Sequence, residues 1–301
     1  MAPIRRTRDA RSGDAWLSAS RTRSVSGPEQ ENEEETLAVE LIESGSEIAG
    51  AATGAAVGLV AGPLGVIGGA ALGAALGRVL KHVGAEIRQR VLGPREEIRV
   101  GAAAAFAGAA IAIALETGRQ PRDDGFFETR EGGDRPAAEE ILEGVLQKAR
   151  DAYEERKLRL LGLLYANVAF HPEISPQHAN HLIALAGQLT YRQLVALAIA
   201  HQQAQTGPIL RDRPFRGDHA ALARLGLDGN ALVTELYGLD QNGLLSDANG
   251  EAWISVADVN PGAMRPQPSG SVLAQIMGLD TIPRDDWLEF LERFPPIRAG
   301  E

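Results

Sequence analysis

Eight glycines set the strongest constraint on what this chain can fold into. Gly50, Gly54, Gly58 and Gly62 recur at intervals of four, and Gly65, Gly69, Gly73 and Gly77 repeat the pattern three positions later. Residues four apart on a helix lie nearly above one another. Each set therefore makes a groove without side chains, into which a second helix can sink as it does at GxxxG crossings in membranes. Glycine inside a helix costs about 1 kcal/mol relative to alanine. Such a run needs an offsetting gain, and close backbone packing is the gain the spacing predicts.

Gly62-Pro63-Leu64-Gly65 decides how the two runs connect. A proline at the centre of one long helix would cost about 3 kcal/mol. A turn uses glycine after a helix end and proline at its second position, so the reading is a helical hairpin with two zipper arms. From Ile48 to Gly77 the chain carries no charge. Each arm is nevertheless only about 22 Å long, short of the roughly 30 Å apolar core of a bilayer. A conventional pair of spans is not expected. The hairpin either packs as the core of a soluble helical protein, lies re-entrant or interfacial in a membrane, or stays sheltered until assembly.

Two neighbouring segments bear on that choice. Val79, Leu80, Val83, Ile87 and Val91 form an apolar stripe between the cations Arg78, Lys81, Arg88 and Arg90. This is the pattern of an amphipathic basic helix able to lie on a membrane surface, and it ends at Gly93-Pro94. Val100 to Leu115 is a second uncharged stretch, expected to be a buried core helix rather than a span. Gly101 and Gly108, seven apart, share a face there and would extend the close packing.

The remaining chain divides by composition. Residues 1–36 read as a charged tail, six arginines without an apolar stretch followed by a Glu-rich run, so neither a signal peptide nor a core element is expected. Residues 37–117 form the glycine-zipper region and 118–133 a breaker-rich linker. Residues 134–206 form a helical domain, in which one long helix runs to about Phe170, a helix opens at Ser175-Pro176, and Thr190 caps the next. Residues 207–301 alternate helices with short apolar runs at Gly243–Leu245 and Trp253–Val256, expected to pair as a hairpin. That order is winged-helix-like, so the fold class is mainly α with a small α+β module at the C-terminus.

Chemistry is sparse. The chain has no cysteine, which removes disulfides, thiolate nucleophiles and Cys-ligated zinc. His171, His178 and His181 cluster beside Glu173 without a metal-ligand signature. Asp123-Asp124 sits in a Gly/Pro loop whose ordinary role is a turn. Phosphate-binding and nucleophile-elbow motifs are absent from the sequence. No catalytic residue, cofactor or metal is therefore expected. The C-terminal module holds eight arginines against fourteen acidic residues, a net of −6 within a chain of net charge −10. Nucleic acid is not an expected partner, because phosphate contacts drive that affinity.

The expectation is a non-enzymatic cytoplasmic helical protein that associates with membrane lipid or self-assembles through the zipper, with a C-terminal sensing or protein-binding unit. By architecture alone this resembles a toxin or immunity-like effector. The alternative is a soluble helical interaction scaffold with the zipper as ordinary core. Leucine at Gly58 and Gly69 distinguishes them, since an ordinary core would lose folding.

Overall fold

Proline, glycine and hydroxyl caps punctuate the helices where the sequence writes them. The computed structural model describes residues 28–62, 70–129, 135–211, 220 and 224–294. Its elements are α1 (Pro28–Ser44), α2 (Ser46–Ala49), α3 (Ala51–Ala61), α4 (Ala70–Arg88), α5 (Pro94–Glu116), α6 (Ala137–Asp151), α7 (Arg156–Val168), α8 (Pro176–Gln188) and α9 (Tyr191–Thr206). Then come α10 (Gly226–Gln241), strands β1 (Leu245–Ser246) and β2 (Arg265–Pro266), α11 (Pro268–Ile276) and α12 (Leu288–Arg293). The protein is mainly α. Glu96 accepts the Gly93 N–H at 2.8 Å ahead of α5. Ser175 accepts the His178 N–H at the start of α8. Thr190 and Gln193 cap α9 reciprocally.

The apolar stretch of α5 is the centre of the fold, enclosed by α1, α2, α3, α6 and α7. Its alanines and glycines allow approaches that larger residues would block. A Cβ on Gly101 would stand 2.1 Å from the Leu41 carbonyl oxygen of α1, and one on Gly45 would stand 2.0 Å from the Ala102 nitrogen. A Cβ on Gly108 would meet Ala56 of α3 at 2.7 Å, and one on Gly162 of α7 would meet the Ala103 carbonyl oxygen at 2.7 Å. Helix α4 lies mainly along α1 and buries Val79, Leu80, Val83 and Ile87.

Four expectations change. Residues 28–36, read as tail, open α1. Gly73 and Gly77 of the second zipper arm and the basic amphipathic segment as far as Arg88 belong to one helix, α4. The long helix beginning near residue 137 breaks at 152–155, where Ala152 is extended and its carbonyl accepts a 2.8 Å bond from Arg99. That break lets α7 turn back against α5. Trp253–Val256 forms no strand. The Trp253 N–H goes to Asp240 instead of to a ladder, and Ser255 with Asp258 caps a 3-10 turn at Val256–Asp258. β1 pairs antiparallel with β2, Leu245 opposite Pro266 and Ser246 opposite Arg265, so the second strand lies beyond the two runs expected to pair.

A single hydrophobic cluster runs from Ala38 to Phe294, across the boundaries read at 117 and 206. Buried Gln203 on α9 donates to the Pro261 carbonyl and accepts from the Ile209 and Leu210 N–H groups. Arg192 on the same helix holds Glu235 of α10 and Glu289 of α12.

Candidate functional site

The eight zipper glycines separate into four situations. Gly50 and Gly62 sit at the ends of α3. Gly50 has φ +53, a backbone state that side chains rarely adopt. A Cβ on Gly62 would stand 2.2 Å from the Gly58 carbonyl oxygen. Gly54 and Gly58 lie inside α3 on its exposed side, with no described residue within 4 Å of a Cβ at either position. Gly65 and Gly69 lie outside the described residues. Gly73 and Gly77 are buried in α4, and a Cβ on Gly73 would touch the Leu115 side chain at 3.5 Å.

Helix α3 is therefore two-faced without being amphipathic in the usual sense. Thr53, Ala56, Leu59 and Val60 turn inward, with Ala56 against Gly108 of α5. Ala51, Gly54, Ala55, Gly58 and Ala61 are exposed, and none carries a charge or a long side chain. The outward face is a smooth, neutral strip about three turns long. Packing among the described residues explains the inner face and the two ends but not the two exposed glycines.

Of the four cations expected at a membrane surface, three are ion-paired. Lys81 Nζ binds Glu35 of α1 at 2.8 Å. Arg88 lies 3.8 Å from Glu40 and 3.6 Å from Glu97. Arg90 reaches Glu86 at 3.2 Å and Glu143 at 2.6 Å. Arg78 is exposed and has no carboxylate partner among the described residues. The Glu-rich run of α1 thus neutralises part of the basic face of α4.

Arg78 also borders a polar cavity of about 360 Å³ between α1, α4 and α6. His82 stands in it with Nδ1 3.4 Å from Glu34 and Nε2 3.9 Å from Glu139. Among the described residues no group of three His, Asp or Glu side chains could hold a metal ion.

Asp123-Asp124 belongs to a pinned loop. Asp124 takes two bonds from Arg122, which hold its carboxyl below the ordinary range. Arg122 is 4% exposed, donates to the Ile174 and His171 carbonyls at 2.8 and 3.2 Å, and stacks 4.3 Å from the Phe126 ring. The pair fixes the loop over the α7–α8 corner. His171 Nδ1 pairs with Glu173; His178 and His181 lie on α8.

Gly45, Gly101, Gly108 and Gly162, where helices approach closely around α5, all lie outside the zipper set. The shared face of Gly101 and Gly108 was legible from their spacing. Gly45 and Gly162 carry no local signal, because each is defined by the partner it meets.

One helix among the described residues, α5, is long and apolar enough to cross a membrane, and most of it is buried inside the fold. No protein-family model, curated protein or solved structure matches this chain.

Proposed function

We propose that this chain is a non-enzymatic helical assembly protein whose copies pair through the outward glycine face of α3. Its winged-helix-like C-terminal region, from Gly207 onward, serves as a protein-binding unit. The observation that carries the reading is the placement of Gly54 and Gly58. Together they cost α3 about 2 kcal/mol relative to alanine, and no contact among the described residues uses their lack of a side chain. A second α3 crossing at this GxxxG step would use it, and a two-fold pair is self-complementary.

The membrane branch of this reading fits less well. Membrane insertion of α5 would withdraw residues packed by α1, α3 and α7, and the apolar stripe of α4 already faces the interior. Assembly of folded copies requires neither change.

Light scattering after size exclusion tests the proposal. Wild-type protein is expected to be a dimer or larger. Gly54→Leu combined with Gly58→Leu is expected to be a monomer with an unchanged helical circular dichroism spectrum, because no described residue of the same copy lies within 4 Å of a Cβ at either position. A wild type that stays monomeric at every concentration, or a double variant that still assembles, refutes it. Co-flotation of the folded wild type with liposomes would favour the membrane branch.

A further inference from the structure

Where helices from both ends of the chain meet, a cleft of about 460 Å³ opens over an apolar floor of Ile48 from α2, Phe106 from α5 and Tyr191 from α9. All three are partly exposed. The charges around it are mostly committed. Asp286 pairs with Arg156 at 2.7 Å and accepts the Tyr191 hydroxyl at 2.7 Å. Glu155 pairs with Arg95 at 2.5 Å. Arg159 is the exception. Its one hydrogen bond among the described residues reaches the Thr281 carbonyl at 3.5 Å, the outer limit of such a bond. A guanidinium carries five N–H donors in a planar fork, so most of this one is unengaged at the wall of an apolar cleft.

We propose that this cleft binds a small monocarboxylate with an apolar body, its carboxylate on Arg159 and its hydrocarbon over Ile48, Phe106 and Tyr191. The volume lies within the range of small-molecule sites, and their usual make-up is an apolar lining with few polar groups. The fork of Arg159 matches a carboxylate in bidentate geometry. A single negative charge suits the site better than a phosphate dianion, because one cation is uncommitted while Glu155 and Asp286 stand close by. Since the walls come from α2, α5, α7, α9 and the turn at Arg284–Trp287, a bound ligand would tie the two ends of the chain together.

Calorimetric titration of the full chain with octanoate, octanol and acetate tests this. Octanoate is expected to bind saturably at one site per chain. Octanol, which lacks the charge, and acetate, which lacks the body, are each expected to bind weaker by about tenfold or more. Arg159→Gln should weaken octanoate by a similar factor, and Arg159→Lys should restore part of it. Absence of saturable octanoate binding overturns the proposal, as does equal binding by Arg159→Gln or equal binding of octanol. Should Arg159→Gln fail to fold, Ile48→Glu sets a like charge in the cleft and must abolish octanoate binding in a protein of native circular dichroism. Retained binding there overturns the proposal as well. These outcomes do not depend on α3, so they are separable from the assembly test.

Discussion

Asp240, near the C-terminal end of α10, is 4% exposed and has no basic partner among the described residues. Its Oδ2 accepts the Trp253 N–H at 3.2 Å and the Gln241 amide at 3.1 Å, while Oδ1 is buried without a partner. Burial pushes its pKa above the ordinary 3.8, and the bonds from Trp253 and Gln241 only partly offset that. A carboxyl whose folded-state pKa is raised favours the protonated fold. Its penalty is therefore fully present at neutral pH and is relieved as pH falls through the folded value. Asp240→Asn keeps the acceptor for Trp253 and removes the charge. It is expected to stabilise the protein by about 1 kcal/mol at pH 7, read as a higher melting temperature. The gain should shrink toward zero as pH falls to the ordinary aspartate range. A lower melting temperature at pH 7 would refute the account.

At the scale of elements, the helices meet closely at Gly45, Gly101, Gly108 and Gly162, of which sequence spacing singles out only Gly101 and Gly108. Gly101→Ala would push a methyl into the Leu41 carbonyl, which is backbone and cannot swing away. Loss of about 3 kcal/mol or more is expected, at the upper end of overpacking costs. Gly58→Ala meets no described residue and is expected to raise the stability of a single copy by up to about 1 kcal/mol. Denaturant midpoints of the two variants should therefore move in opposite directions, and a loss from Gly58→Ala would place an unseen neighbour against α3. The same contrast explains what was legible. The caps Ser175 and Thr190 and the stop at Gly207 are written in adjacent residues, so α8 and α9 were foreseen to within a residue or two. The zipper spacing placed Gly54 and Gly58 on one face of α3, but it did not show that Gly50 and Gly62 end that helix or which way the face points. The break at Ala152 has no breaker residue and depends on Arg99 from another helix. The binding cleft draws on residues between Ile48 and Asp286, so no local pattern could announce it.

Across the whole molecule, the acidic excess is organised rather than spread. Arg135 binds Glu86, Glu139 and Glu143, and Arg90 binds Glu86 and Glu143, so one network joins α4 to α6. Arg122 with Asp124 makes a second anchor at the α7–α8 corner. Burial opposes the ionisation of Glu143, yet the bonds from Arg90 and Arg135 outweigh it and hold its carboxyl below the ordinary 4.5. This is the opposite sign to Asp240. A depressed carboxyl contributes stability that is fully present above the unfolded value of 4.5 and is lost as pH falls through the folded value. Glu143→Gln is therefore expected to cost about 1 kcal/mol at pH 7, a modest figure because the network is partly open to solvent. That cost should fade below pH 4.5, where wild type and variant converge. Added salt should narrow the gap at pH 7 through screening. Urea midpoints at neutral and acidic pH, each at low and high salt, check all three. A penalty that ignores both pH and salt would mean that Glu143 holds α4 and α6 together by shape rather than by charge.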